Sequence, residues 1–195
     1  MLIKMLNQIS DKKGNTIMKK LSNLTQEFSS ANTSINITKL PAIYNKLNPI
    51  EMWGLTIFDY GVGKVKTLNN IARWGLENDI TILGYDKFNL SSDYNRDMLK
   101  QVYKADVFIC SNVICTIKED EIVQSIIDFI LQYNKPFFFK IYDGNKSGVG
   151  KPSKKDCYQR NMKIKDYLTY FNWGNSNPIV YKGCITTEEG KKYLK

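Results

Sequence analysis

Four short stretches of the chain are apolar almost without interruption, and three longer ones carry apolar residues at helical spacing. The short ones are Leu55-Thr-Ile-Phe-Asp59, Ile80–Tyr85, Asp106–Cys110 and Pro136–Tyr142. Their continuity predicts strands buried on both faces. Between them, Lys64–Leu76, Asp93–Tyr103 and Lys118–Tyr133 predict helices. In the last, Ile122, Ile126, Phe129, Ile130 and Tyr133 form one stripe. In the first, the stripe is Leu68, Ala72 and Leu76, with Gly75 beginning the exit. Asp93 or the serines before it cap the middle helix. Strands alternating with helices imply an α/β fold. The expectation is a doubly wound, mostly parallel, Rossmann-like sheet with helices on both faces.

The ends are plainer. Pro41 suits the first turn of a short helix reaching Leu47. Arg160–Phe171 is read as helical, Ile179–Thr186 as a last strand, and Thr186–Glu189 as a capping box for a short C-terminal helix. Residues 1–20 are expected to be a weakly anchored N-terminal extension, dispensable before Met18. Lys4, Asn7, Gln8 and Asp11–Lys13 break any signal-peptide core there. The 195 residues suit a single domain spanning 1–195. No stretch approaches the ~20 apolar residues of a membrane helix, so no membrane partner is expected. Without a signal-peptide core or a disulfide pattern, a cytoplasmic protein is expected.

Composition narrows the chemistry. The chain has no histidine, which excludes Ser-His-Asp hydrolysis, a Cys-His pair and His-ligated metal. Cys110, Cys115, Cys157 and Cys184 show no C-x-x-C spacing, so they read as small buried apolar residues and no metal is expected. Lys and Arg number 28 against 19 Asp and Glu, a net charge of +9 that permits a polyanionic partner.

The informative unit is Asp59-Tyr60-Gly61-Val62-Gly63-Lys64, followed by Asp86 at the end of the next strand. In an open parallel sheet, ligands bind outside the carboxyl ends of the strands, where strand order reverses. Gly61 and Gly63 permit a sharp turn and close approach of backbone to ligand. Asp86 is placed to accept ribose hydroxyls. A dinucleotide fingerprint requires a third glycine where Lys66 stands, and a P-loop fails at Phe58 and Val65. Asp59 before the glycines suits a ligand with an amino group and a sulfonium, and repels pyrophosphate. The cofactor indicated is S-adenosylmethionine.

On these residues, over Thr38–Phe171, the chain resembles the class I S-adenosylmethionine-dependent methyltransferases. Phe58–Lys64 is similar to their first motif and Gly84-Tyr85-Asp86 to their ribose-binding strand end. Asp106-Val-Phe-Ile-Cys-Ser-Asn112 is similar to their fourth-strand motif, whose end borders the transferred methyl group. The stretch from Asn36 through Asn161 also resembles small methyltransferase-like proteins of phages and mobile elements. The resemblance implies Asp59 at the cofactor's amino group, Asp86 at its ribose, Asp106 on the cofactor side and Asn112 at the catalytic position. Val65 replaces a glycine that many members carry. Ser111-Asn112-Val113 is not the Asn/Asp-Pro-Pro-Tyr motif of amino-methylating DNA enzymes, and no Pro-Cys dipeptide exists for cytosine-C5 chemistry.

Asp143–Ser153 is read as a Gly- and Lys-rich loop beside the site. Lys146, Lys151, Lys154, Lys155 and the nearby Arg160 suit a phosphate-bearing substrate, though a solvated surface loop has the same composition. The expected function is methyl transfer from S-adenosylmethionine to an anionic acceptor, with DNA or RNA the favoured partner. The alternatives are cleavage of S-adenosylmethionine itself, or non-catalytic binding of the cofactor or of nucleic acid.

Overall fold

A computed structural model describes residues 24–32, 38–171 and 177–195. Strands β1 (Thr56–Tyr60), β2 (Thr81–Tyr85), β3 (Val107–Ser111) and β4 (Phe137–Lys140) run parallel. Helices α1 (Val65–Glu77), α2 (Ser92–Gln101) and α3 (Asp120–Leu131) connect them in alternation. Near the C-terminal end, β7 (Ile179–Tyr181) and β8 (Cys184–Thr186) form an antiparallel hairpin, and β8 adds antiparallel to β4. The six-stranded order is β2-β1-β3-β4-β8-β7. A separate two-stranded ribbon pairs β5 (Lys151–Lys154) with β6 (Cys157–Gln159). The expected extension over residues 1–20 lies outside the described residues.

The period-two alternation of strand side chains sorts the core into two faces. Phe58, Phe108, Phe137 and Phe139 point toward Ile122, Ile126, Phe129 and Ile130 of α3, with Met98 and Leu99 of α2 beside them. Ile57, Val107, Ile109 and Phe138 point the other way, toward Ile71 of α1 and toward Ile43, Tyr44 and Leu47. Each fully buried Phe or Ile contributes roughly 1.5–3 kcal/mol, so the uninterrupted strand β4 anchors both layers at once.

Four sequence expectations are corrected. In α1 the buried stripe is Thr67, Ile71 and Gly75, while Leu76 is 84% exposed. A Cβ on Gly75 would lie 2.6 Å from the Ile80 carbonyl oxygen, so the helix packs through its glycine and the apolar Leu76 is turned outward. The last strand is instead the β7–β8 hairpin. Lys182 (φ 46°) and Gly183 (φ 73°) both have positive φ, as a two-residue type I′ turn requires. The segment after Arg160 forms a 3-10 helix over Ile164–Tyr170 rather than an α-helix. The Lys-rich loop ends in strand β5, and Pro152 is accommodated because that ribbon has only edges.

All four parallel strands point their carboxyl ends to one rim. The chain steps from β1 outward to β2, then crosses back to β3 on the other side of β1. A switch point of this kind opens a crevice between the β1 and β3 ends. Residues 24–32 cross the same rim. Ser30 donates from its amide to the Asp156 carbonyl (2.7 Å) and from Oγ to the Thr116 carbonyl (3.1 Å), and Phe28 stacks on Tyr158 with centroids 5.3 Å apart. No helix among the described residues is long and apolar enough to cross a membrane.

Candidate functional site

The crevice at the switch point is a cleft of about 680 Å³. Its upper edge is the turn from β1 into α1. Gly61 (φ 82°) and Gly63 (φ 86°) both occupy the left-handed region, which other residues rarely adopt. The Gly61 and Val62 amides donate to the Tyr85 carbonyl at 2.7 and 3.1 Å, holding the turn over the end of β2. A Cβ on Gly61 would lie 2.2 Å from Cγ2 of Val113, so the two sides of the crevice approach too closely for any side chain there. Tyr60 and Tyr85, with ring centroids 4.9 Å apart, border the cleft near Leu99, Ile122 and Ile126. Half-exposed Phe88 and the polar Asn95 and Ser111 complete a mixed wall.

Asp86 borders this cleft at the end of β2, yet its carboxylate faces inward. Oδ2 accepts from the Gly63 amide at 2.9 Å. Oδ1 accepts from the Phe88 amide (3.0 Å), the Asn89 amide (2.9 Å) and Asn89 Nδ2 (3.0 Å). The Asp86 backbone is clamped as well: its amide donates to Asn95 Oδ1 at 3.1 Å, and its carbonyl accepts from Asn95 Nδ2 at 2.8 Å. Asp86 thus ties the β1–α1 turn to the β2–α2 loop. Asn89 and Asn95 perform a role that the sequence did not reveal.

Asp59 is not brought to the cleft. Strand alternation sends its side chain to the α1 face with Ile57, whereas Tyr60 faces the cleft. There its Oδ2 accepts from the Tyr44 hydroxyl at 2.7 Å, and Oδ1 has no hydrogen-bond partner among the described residues. Burial pushes the Asp59 carboxyl up to about 7; the Tyr44 hydrogen bond opposes that rise and the negative charge of Asp86 adds to it. Asp106 is also displaced from the expected site. It precedes β3, at the amino end of the sheet, where its carboxylate accepts from the Thr56 amide at 2.9 Å and pins the start of β1.

A second cleft of about 640 Å³ adjoins the first, and Asn112 and Thr116 border both. Asn112 follows β3 directly with φ 57°, its amide donating to the Lys140 carbonyl at the end of β4 (2.8 Å). That left-handed turn exposes the side chain at the junction. Lys151 and Lys154 border the second cleft. Lys146 stands outside it, exposed and 3.9 Å from Asp143, and Lys155 is exposed in the β5–β6 turn.

Arg160, expected at the substrate, lines neither cleft, and its guanidinium is engaged by protein groups. It is 6% exposed, and its guanidinium donates to the carbonyls of Ile117 (2.5 Å) and Lys118 (2.9 Å) and to the Tyr170 hydroxyl (2.9 Å). It also pairs with Asp120 at 2.7 Å. These partners fasten the segment before α3 to the end of β6, a structural duty. The four cysteines are free and buried, as their spacing suggested.

No protein-family model matches the sequence, and no curated protein matches it.

Proposed function

We propose that the chain transfers a methyl group from S-adenosylmethionine, held in the first cleft, to an anionic acceptor held in the second, on a Rossmann-like methyltransferase fold. The observation that carries this reading is the meeting of two clefts at Asn112 and Thr116. A group transfer between two substrates needs two sites that share a boundary, because the reacting atoms must approach to about 3–3.5 Å.

The first cleft suits an adenosine-bearing cofactor in three respects. Its volume falls within the ~300–1,000 Å³ usual for small-ligand sites. Phe88, Leu99, Ile122 and Ile126 give a purine an apolar wall. Gly61 and Gly63, both in the left-handed region, turn the chain sharply at the edge of the cleft, where a ligand would lie against backbone. Of the two expected carboxylates only Asp86 borders the space, so the amino-group contact assigned to Asp59 does not form part of the proposal. Asp86 meets a ribose by exchanging one of its present donors, of which Asn89 Nδ2 is the only side-chain group among the described residues.

When bound, the cofactor supplies an electrophilic methyl group. The chain's own residues bind, orient and enclose. Asn112 presents an amide to the acceptor at the boundary. Lys151 and Lys154 supply positive charge on the acceptor side. The segment around Ser29 and Ser30 closes the outer edge of the first cleft. Titration calorimetry with S-adenosylmethionine, S-adenosylhomocysteine and NAD tests the cofactor assignment. Binding of the first two without NAD is expected; NAD binding alone overturns it.

A further inference from the structure

The second cleft has a composition unlike the first. Among the described residues no carboxylate borders it. Its wall combines two lysines, Lys151 and Lys154, with two tyrosines, Tyr142 and Tyr158, and side-chain amides that include Asn145 and Gln159. Buried Cys115 and Cys157 lie at its apolar base.

Its shape is built by the polar loop rather than left between elements. A Cβ on Gly144 (φ 61°) would lie 2.0 Å from Asn161 Oδ1, and one on Gly150 would lie 1.9 Å from the Tyr158 hydroxyl. The glycines let the loop press against those two side chains. Asn161 then secures it, accepting from the Asn145 amide at 3.3 Å and donating to the Val149 carbonyl at 2.9 Å. Tyr158 is braced from behind by Phe28. Tyr142 stands 61% exposed at the cleft, a large aromatic surface left to water.

We infer that this cleft receives one unpaired nucleotide of a nucleic-acid strand. The inference rests on the reading of the second cleft as the acceptor side. Exposed Tyr142 is a stacking platform for a base. Gln159 donates its Nε2 to the Tyr142 carbonyl at 3.0 Å, and Asn145 accepts from Ser147 at 3.0 Å. The other atom of each amide, Gln159 Oε1 and Asn145 Nδ2, would offer an acceptor and a donor to a base edge. Lys151 and Lys154 stand where phosphates would flank that base, and exposed Lys146 and Lys155 extend the charge along the strand's path. With no carboxylate among the described lining residues, these put no repulsion against phosphate. A base inside a duplex cannot enter a concave site, so the nucleotide must be unpaired or extruded.

Fluorescence anisotropy with labelled oligonucleotides tests this on the whole chain, without cofactor and over a range of salt. Single-stranded DNA, single-stranded RNA and the matching duplex are compared, the first two arms telling which sugar is preferred. The expected result is single-strand binding at least tenfold tighter than duplex binding. Tyr142→Ala should weaken it about tenfold through lost stacking. Lys151→Ala with Lys154→Ala should make the log–log salt slope shallower by about 0.7 per lost phosphate contact. Tyr142 is exposed enough that its truncation leaves the core intact, and a thermal melt of each variant verifies folding. Equal affinity for duplex, or binding indifferent to salt and to Tyr142→Ala, overturns the inference. Calorimetry with S-adenosylmethionine on the same samples separates the two readings. Strand preference without cofactor binding supports this inference and removes methyl transfer. Cofactor binding without strand preference overturns this inference alone.

Discussion

Tyr44 donates its hydroxyl hydrogen to Oδ2 of Asp59 at 2.7 Å, and both residues are buried on the α1 face of the sheet. Burial of the Asp59 carboxyl, only partly offset by the Tyr44 hydrogen bond, makes stability depend on pH. Folded Asp59 keeps its proton up to about 7 instead of 3.8. Between those values the folded state binds more protons than the unfolded one, so stability falls as pH rises through about 7. The full loss is about 4 kcal/mol. Asp59→Asn keeps an oxygen for Tyr44 and removes the charge. Denaturant melts at pH 5 and pH 8 should show a flatter profile for the variant, with a gain at pH 8. An unchanged pH slope would place the titration elsewhere.

Asp86→Ala should do more than weaken cofactor binding. It leaves the Gly63, Phe88 and Asn89 amides without their acceptor. Each hydrogen bond to a charged group contributes ~1.5–3 kcal/mol, so both the melting temperature and S-adenosylmethionine affinity should fall, affinity by at least tenfold. Asn89→Ala removes only one donor and should cost affinity little. A stable Asp86→Ala protein with unchanged affinity would contradict both roles.

The sheet was legible in the sequence because Phe137-Phe138-Phe139 can only be buried on two faces, and α3 because its stripe is uninterrupted. Asn112 was put at the strand end by the resemblance to the methyltransferase motif, and it does stand just past β3 at the edge of both clefts. Other features depend on partners that no local pattern records. The α1 stripe was misjudged because Gly75 packs by lacking a side chain. Arg160 looked like a surface cation because its carbonyl partners at Ile117 and Lys118 are remote in sequence. The direction of Asp59 was present in the pattern. Ile57 and Asp59 share parity in β1, and that parity leads away from the cleft.

Arg160→Met should destabilise the fold by about 2–3 kcal/mol, since it strands two carbonyls that are now bonded. The salt dependence of strand binding should stay as in the parent protein. Thermal melts and anisotropy on the same variant check both. A shallower salt slope with unchanged melting would return Arg160 to the substrate side.

Gly61 and Gly148 separate backbone strain from crowding. Their φ values are 82° and 74°, but a Cβ meets Val113 at 2.2 Å in the first and nothing within 4 Å in the second. Gly148→Ala should cost about 1 kcal/mol from backbone strain alone. Gly61→Ala should cost clearly more and reduce cofactor affinity, and Val113→Ala should recover part of the difference. Equal losses in the two alanine variants would show that the crevice is not closed as described.

The central claim is a transfer between two clefts that meet at Asn112. Its most direct test follows the label from methyl-labelled S-adenosylmethionine, with and without single-stranded nucleic acid. Label should pass into the nucleic-acid fraction, with S-adenosylhomocysteine formed only when the acceptor is present, and Asn112→Ala should slow transfer at least tenfold while cofactor affinity holds. Cofactor consumed equally without acceptor would mean cleavage, and cofactor bound but never consumed with any acceptor would mean a binding protein. Either result would contradict the account.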